Sequence, residues 1–344
     1  MRALFRCNAG EEVGFGHLRR CLALAGELES RGGHVAFQGD FSSEAECLID
    51  SERYVRISAK DIEVFDVGLM DWMFDVQDMD RYDLALIKEF ASHCRRSVLL
   101  TSARSIPVAL PIDVVVGHVL EPPADSSYIC MHGLDFAPVP PHWEFWRNEN
   151  QAVAESIQRI LVAFGAWKDE VALFKTLRGL RTAGFSGQVN VLLAPPHRDS
   201  KRALSALVGS SYTLCFHEEV QSVAELLVEA DLAIGGYGNL TFEALAMGTP
   251  YLCIGLKEFQ VRYAQFLEQK RLLICAGSAD MLKEDEIGRL LAKFTPKCRS
   301  QLKHKGMSMV DLNGLRRIVD VLFDEACSTA RITNSQNNPL IVES

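Results

Sequence analysis

The chain has 344 residues, is 48% hydrophobic, and carries 45 acidic against 36 basic side chains, for a formal net charge of −9. At roughly 100–200 residues per domain this predicts two domains, each large enough to bury a core. The acidic balance speaks against a nucleic-acid or anionic-membrane surface, and no apolar run approaches the roughly 18 residues of a membrane span.

Residues 2–7 read as a short buried strand, and a helix begins near His17 with Leu18, Cys21, Leu22, Ala25 and Leu28 at helical spacing. Arg31-Gly32-Gly33 supplies its stop, and His34 to Phe37 a second strand. This strand–loop–helix–strand unit is the building block of a parallel sheet. The pattern continues with a helix from Ser43 to Ile49, a strand over Val67–Trp72, a helix from Met79 to Cys94, and buried strands at Ser97–Leu100 and Val114–Val116. Between residues 121 and 150 the periodicity is lost among prolines and the aromatic run His142-Trp143-Glu144-Phe145-Trp146. We read this as a crossover between domains, its aromatics packing in the seam.

A second α/β series opens at Arg159–Gly165. A helix (Val171–Arg181), a strand (Val189–Leu193), a short helix (Leu204–Val208) and a helix (Ser222–Ala230) follow. Next come the strand Leu232–Ile234, the turn Gly235-Gly236-Tyr237-Gly238-Asn239, a helix from Leu240 to Met247 and the strand Tyr251–Ile254. Gln260–Lys270 and a long amphipathic stretch, Met309–Ala326, are predicted helices, and the polar tail is predicted disordered. The expected organisation is α/β, with one Rossmann-like domain over 1-150, a second over 151-330 and a tail over 331-344. The ten cysteines include no C-x-x-C pair and several lie in apolar runs, and the start shows no signal peptide, so a cytoplasmic, reducing location is expected.

Two glycine turns carry the candidate chemistry. Gly14 and Gly16 bracket a strand-to-helix turn followed by His17. A backbone without side chains lets a ligand approach, and a helix N-terminus favours negative charge. Histidine there suits general-base work, because its ordinary pKa lies near the operating pH. A packing histidine is the alternative, and the spacing is not that of a dinucleotide fingerprint. In the second turn the N–H groups of Gly238, Asn239 and Leu240 are placed to cradle a diphosphate. Glu243 lies one helical turn on, to accept from a ribose hydroxyl pair or simply to complement the helix dipole. Arg6 ends the first strand close to its loop, where it meets phosphate or sugar or forms a structural ion pair. His118, His132, His197 and His217 show no metal-ligand spacing, and no metal or cofactor is expected.

Together these segments resemble a known family. Arg6 through Ala25, with Gly14-Phe15-Gly16-His17-Leu18-Arg19-Arg20-Cys21, is similar to the N-terminal signature of the UDP-sugar hydrolases of pseudaminic acid biosynthesis and the related spore-coat polysaccharide proteins. Gly235 through Pro250 resembles the same family's nucleotide motif and, more distantly, that of the peptidoglycan UDP-N-acetylglucosamine transferase. The resemblance implies a GT-B fold, two Rossmann-like domains facing each other across a cleft. It implies metal-independent, inverting hydrolysis of a UDP-linked (di)acetamido-deoxy sugar, with His17 as base and Asp71 orienting it or the water. Gly14, Gly16, Gly165, Gly236, Gly238, Asn239, Leu240, Glu243, Glu258 and Gln260 are the implied contacts to the nucleotide-sugar. Implied partners are that substrate and other glycan-pathway enzymes. The chain departs from the pattern at Trp72-Met73, Thr101-Ser102-Ala103, Ala166-Trp167 and Phe259, so the nucleotide side matches better than the sugar side. Transfer to a sugar acceptor, and nucleotide-sugar binding without catalysis, stay open as alternatives.

Overall fold

A computed structural model of the chain describes residues 1–10, 13–58, 64–71, 84–101, 111–117, 128–149, 152–165, 170–193, 199–218, 220 and 222–323. Trp72, Met73, Ser102, Ala103, His118, Ala166, Trp167, His197 and the tail 331–344 lie outside the described residues, as does the start of the helix expected from Met79.

The chain folds as two compact α/β units. The first comprises Met1–Gly10, Phe15–Pro141 and the chain from Leu312, and the second Glu11–Gly14 and His142–Asp311. The first contributes, in chain order, β1 (Arg2–Arg6), α1 (Gly16–Ser30), β2 (His34–Gln38), α2 (Ser43–Ser51), β3 (Val55–Arg56), β4 (Phe65–Asp71), α3 (Leu84–Ser92), β5 (Cys94–Thr101), β6 (Val114–Gly117) and β7 (Ile129–His132). Its strands are parallel, in the order β3-β2-β1-β4-β5-β6-β7. Ala3, Leu4 and Phe5 are all buried, as in a central strand covered on both faces. One face carries Ala3, Phe5, Phe37 and Leu69 under Leu18, Cys21, Leu24 and Leu28 of α1. The other carries Leu4, Ala36, Met70 and Leu99 with Ile87 and Phe90 of α3.

The second unit contains α4 (Glu144–Asn148), β8 (Arg159–Ala163), α5 (Val171–Thr182), β9 (Gln188–Leu192), α6 (Lys201–Val208), β10 (Thr213–His217), α7 (Ala224–Glu229), β11 (Leu232–Gly235), α8 (Asn239–Met247), β12 (Tyr251–Gly255), α9 (Glu258–Gln269), β13 (Ile274–Ser278), α10 (Glu284–Leu291) and α11 (Pro296–Met309). Its parallel strand order is β10-β9-β8-β11-β12-β13. Within this unit Trp143 is buried, whereas Phe145, expected to pack in a seam, is 63% exposed.

The sequence pattern misses the edges of both sheets. β3, β7, β10 and β13 are the four edge strands, and none is anticipated. Edge strands are short and half-exposed, so neither a continuous apolar run nor clean alternation marks them. β10, for example, has no fully buried residue.

The helix expected over Met309–Ala326 starts later, as α12 (Gly314–Phe323) on the first unit. Met309 is instead the last residue of α11, and Leu312 between them takes a left-handed φ of 68°. The end of α11 is held by Arg147, whose guanidinium donates to Val310 O at 2.6 Å and to Met307 O. α12 buries Leu315, Ile318, Val319 and Leu322 in the core beside α1. Arg96 donates to Val321 O and Leu322 O at 3.0 and 3.1 Å, and Arg317 to Asp135 O at 3.0 Å. The amphipathic pattern belongs to α12, and the break before it leaves no mark in that periodicity. Among the described residues no helix is long and apolar enough to cross a membrane.

Candidate functional site

In an open parallel sheet, ligands bind outside the carboxyl ends of the strands where the strand order reverses. That point lies between β1 and β4 in the first unit and between β8 and β11 in the second. Both glycine turns follow strands at those points. The first joins β1 to α1 and the second joins β11 to α8.

Gly14 has φ 74°, a left-handed conformation that disfavours any side chain. A Cβ at Gly14 or at Gly16 would meet nothing within 4 Å, so the turn is open toward solvent. Phe15 is the N-cap of α1 and makes no side-chain capping hydrogen bond, and the first turn holds no acidic residue. His17, half-buried, is the second residue of α1 and stands at the positive end of its dipole. Asp71 is the last residue of β4, with its Cα paired to Leu100 of β5.

The second turn is stiffened from beneath. Gly235 is required by packing, since a Cβ there would lie 2.3 Å from Ala163 O and 2.6 Å from the Tyr251 hydroxyl. Tyr251, fully buried on β12, donates to Gly236 O at 2.7 Å, and its burial holds the phenol pKa well above the usual range, so it stays a donor. The Thr241 hydroxyl accepts from Gly238 N at 3.2 Å, and Thr241 N donates to Gly238 O at 3.0 Å. Gly238 N–H, expected to hold a phosphate, therefore turns back onto the helix. Asn239 and Leu240 are the first two residues of α8. The open side of the turn is at Gly238, where a Cβ would meet nothing within 4 Å. Glu243 is half-buried on α8, and Gly165 follows β8 with φ 74°.

Not all the expected residues are brought to these openings. Gln260 is 3% exposed and its amide is used by the backbone: Leu256 N donates to Oε1 at 2.7 Å, and Nε2 donates to Tyr237 O at 3.0 Å. It clamps the loops after β11 and β12 to each other rather than presenting a group to a ligand. Glu258 is exposed at the first position of α9. Arg6 alternates with Phe5 and Cys7, which face α1, so its side chain leaves the sheet on the opposite face from His17. His217, at the end of β10, hydrogen-bonds Asn190 Oδ1 at 2.9 Å, a packing role. Thr241 and Tyr251 are missed by sequence reasoning. A hydroxyl three residues beyond a glycine cap is a visible signal for Thr241, but nothing local marks Tyr251.

No family model matches the chain. It is 21% identical over 335 residues to the spore coat polysaccharide biosynthesis protein SpsG of Bacillus subtilis, covering 92% of this chain and 96% of that protein. An uncharacterized protein of Methanocaldococcus jannaschii is 23% identical over 279 residues, 76% of this chain and 57% of its own length. Among solved structures, MurG of Acinetobacter baumannii has a TM-score of 0.66 at 14% identity, covering 93% of this chain and 99% of its own. The rhamnosyltransferase SpnG complexed with thymidine diphosphate has 0.60 at 14%, covering 93% and 100%. A UDP-N-acetylglucosamine 2-epimerase from Listeria monocytogenes has 0.58 at 11%, covering 98% of each chain. These likenesses, with the two parallel sheets, establish the α/β fold of GT-B type.

Proposed function

We propose that this protein hydrolyses a UDP-linked (di)acetamido-deoxy sugar in surface-glycan biosynthesis, with inversion at the anomeric carbon and release of UDP. The observation that carries the reading is His17 in the first turn of α1, beside a Gly14–Gly16 turn where an added Cβ would meet nothing within 4 Å. His17 takes a proton from water, the resulting hydroxide forms the bond to C1, and the C1–oxygen bond to UDP breaks with its electron pair leaving on the diphosphate. The amide end of α8 neutralises that charge and Glu243 accepts from the ribose hydroxyls. Asp71 orients His17 or the water. SpsG's name places that relative in polysaccharide biosynthesis, which supports the substrate class.

Transfer to a sugar acceptor is the second reading, favoured by the glycosyltransferases among the structural neighbours. Free UDP is followed with UDP-N-acetylglucosamine and with a UDP-2,4-diacetamido sugar, with and without acceptor. Release from water alone supports hydrolysis, and release only with acceptor supports transfer. If neither occurs but UDP raises the melting temperature, the protein binds without turnover. His17→Ala is expected to abolish turnover while leaving UDP affinity nearly intact. Wild-type turnover in that variant refutes the assignment of the base.

A further inference from the structure

The net charge of −9 conceals a local reversal. Ile287–Val310 holds six of the 36 basic side chains and none of the 45 acidic ones. Most of this stretch is α11, which buries Arg299, Leu302 and Gly306. That side packs on α8, so closely that a Cβ at Gly306 would lie 2.9 Å from Leu245 O. Lys297, Gln301, His304, Lys305 and Ser308 are exposed and recur at helical spacing, so they form one outward stripe. Lys293 is exposed in the turn before the helix. Arg289 is paired with Asp285 and Glu286, and Arg299 donates to Phe294 O at 3.1 Å. The side chains of Lys293, Lys297 and Lys305 form no hydrogen bond or ion pair with a described residue.

Exposed apolar groups lie at the far end of the helix. Met309, its last residue, is 37% exposed. Phe145 of α4 is exposed too, and meets Trp146 edge-on with ring centroids 5.2 Å apart. Arg147 ties α4 to this end of α11 by donating to Val310 O. Glu144 and Asp311 lie close to Arg147, so the positive charge runs along the helix and the apolar groups stand at its end. Lysines along one helix face fit an extended anion, and the two common ones are a nucleic acid and an anionic bilayer. The free cations here are all lysines, point charges without the planar fork that reads nucleic-acid bases. Met309 has no ring to stack on a base, whereas both Met309 and Phe145 bury at a headgroup and acyl-chain boundary. We infer that α11, with Phe145 and Met309 at its end, is a docking surface for an anionic lipid bilayer. The surface does not depend on the UDP-sugar reading, and its test uses no turnover.

The test is flotation of the whole protein with vesicles of phosphatidylcholine alone and of phosphatidylcholine containing phosphatidylglycerol, at about 0.1 M salt. The protein floats with the anionic vesicles and not with the neutral ones. A lysine near an anionic surface contributes about fivefold in affinity, so Lys297→Ala/Lys305→Ala binds about thirtyfold more weakly. Phe145→Ser weakens binding about fivefold. Lys88→Ala/Lys270→Ala, which removes two exposed lysines elsewhere, binds as the wild type does. No binding to anionic vesicles, equal binding to both kinds, or wild-type binding by the Lys297→Ala/Lys305→Ala or Phe145→Ser protein overturns the inference. An equal loss in the Lys88→Ala/Lys270→Ala protein does the same. Binding of a single-stranded oligothymidylate, read by fluorescence anisotropy, in place of anionic vesicles would make the face a nucleic-acid surface and also overturn it.

Discussion

The role of Gln260 separates two readings that the sequence leaves together. A glutamine that touches the substrate and one that builds the loop around it look alike in a motif. Here Oε1 accepts Leu256 N at 2.7 Å and Nε2 donates to Tyr237 O at 3.0 Å, with the side chain 3% exposed. Gln260→Leu fills similar volume but abandons both backbone groups. Tyr237 O is buried and costs about 1–3 kcal/mol when unsatisfied, while Leu256 N is part-buried and costs less, so the loss is about 2–4 kcal/mol. UDP affinity falls with it, because the loop after β11 is no longer pinned to the loop after β12. Urea titration followed by far-UV circular dichroism measures the first quantity, and calorimetric titration with UDP the second. Gln260→Ala, which opens a cavity as well, is expected to cost more than Gln260→Leu. A Gln260→Leu protein that keeps wild-type stability while losing UDP affinity would mean that the amide faces the ligand, and the clamp would be wrong.

Two further outcomes follow from buried groups. Arg96→Met removes the donor to Val321 O and Leu322 O and is expected to destabilise the docking of α12 by about 1.5–3 kcal/mol, read as faster amide hydrogen exchange in α12. Unchanged exchange there would show that the apolar face of α12 suffices. Burial raises the Cys94 thiol to about 12, the Asp113 charge adding to it, and the Cys130 thiol to about 11. From about 8.5 upward the unfolded thiols ionise while the folded ones stay protonated. The unfolded state then binds fewer protons, so this contribution to stability is whole below about pH 8.5 and declines as pH rises toward the folded values. The urea midpoint of the wild type should fall more steeply between pH 8 and 10.5 than that of a Cys94→Ala/Cys130→Ala variant, and equal slopes would remove these thiols as the cause.

What was legible in the sequence follows from how much of each decision is local. The central strands β1, β4, β8, β11 and β12 are covered on both faces, so their apolar runs announce them. The glycine turn after β1 carries its own conformational demand in Gly14, and the turn after β11 is marked by its run of glycines, Gly235, Gly236 and Gly238. Edge strands are not local decisions, since β13 with its sequence Ile-Cys-Ala-Gly-Ser pairs only because β12 offers a free side. The return of α12 to the first unit is likewise a tertiary choice, fixed by Arg96 and by the Asp135 carbonyl that accepts from Arg317 of α12, both from distant parts of the chain.

The same distinction explains the candidate site. His17 and the α8 turn are visible because their helix ends and glycines are contiguous in sequence. Tyr251 acts on Gly236 from the next strand, and Gln260 from the helix beyond it, so the residues that give the second turn its shape lie fifteen and more positions downstream. Arg6 shows how adjacency in sequence and placement on a sheet differ. It is adjacent in sequence to the loop that leads to His17, and adjacency suggests a shared site. A strand, however, sends successive side chains to opposite faces. With Phe5 and Cys7 committed to the core under α1, Arg6 must face away from that helix, where its neighbour is Gln38. Proximity along β1 thus does not mean a shared face: α1, which carries His17, packs on one face of the sheet, and Arg6 projects from the other.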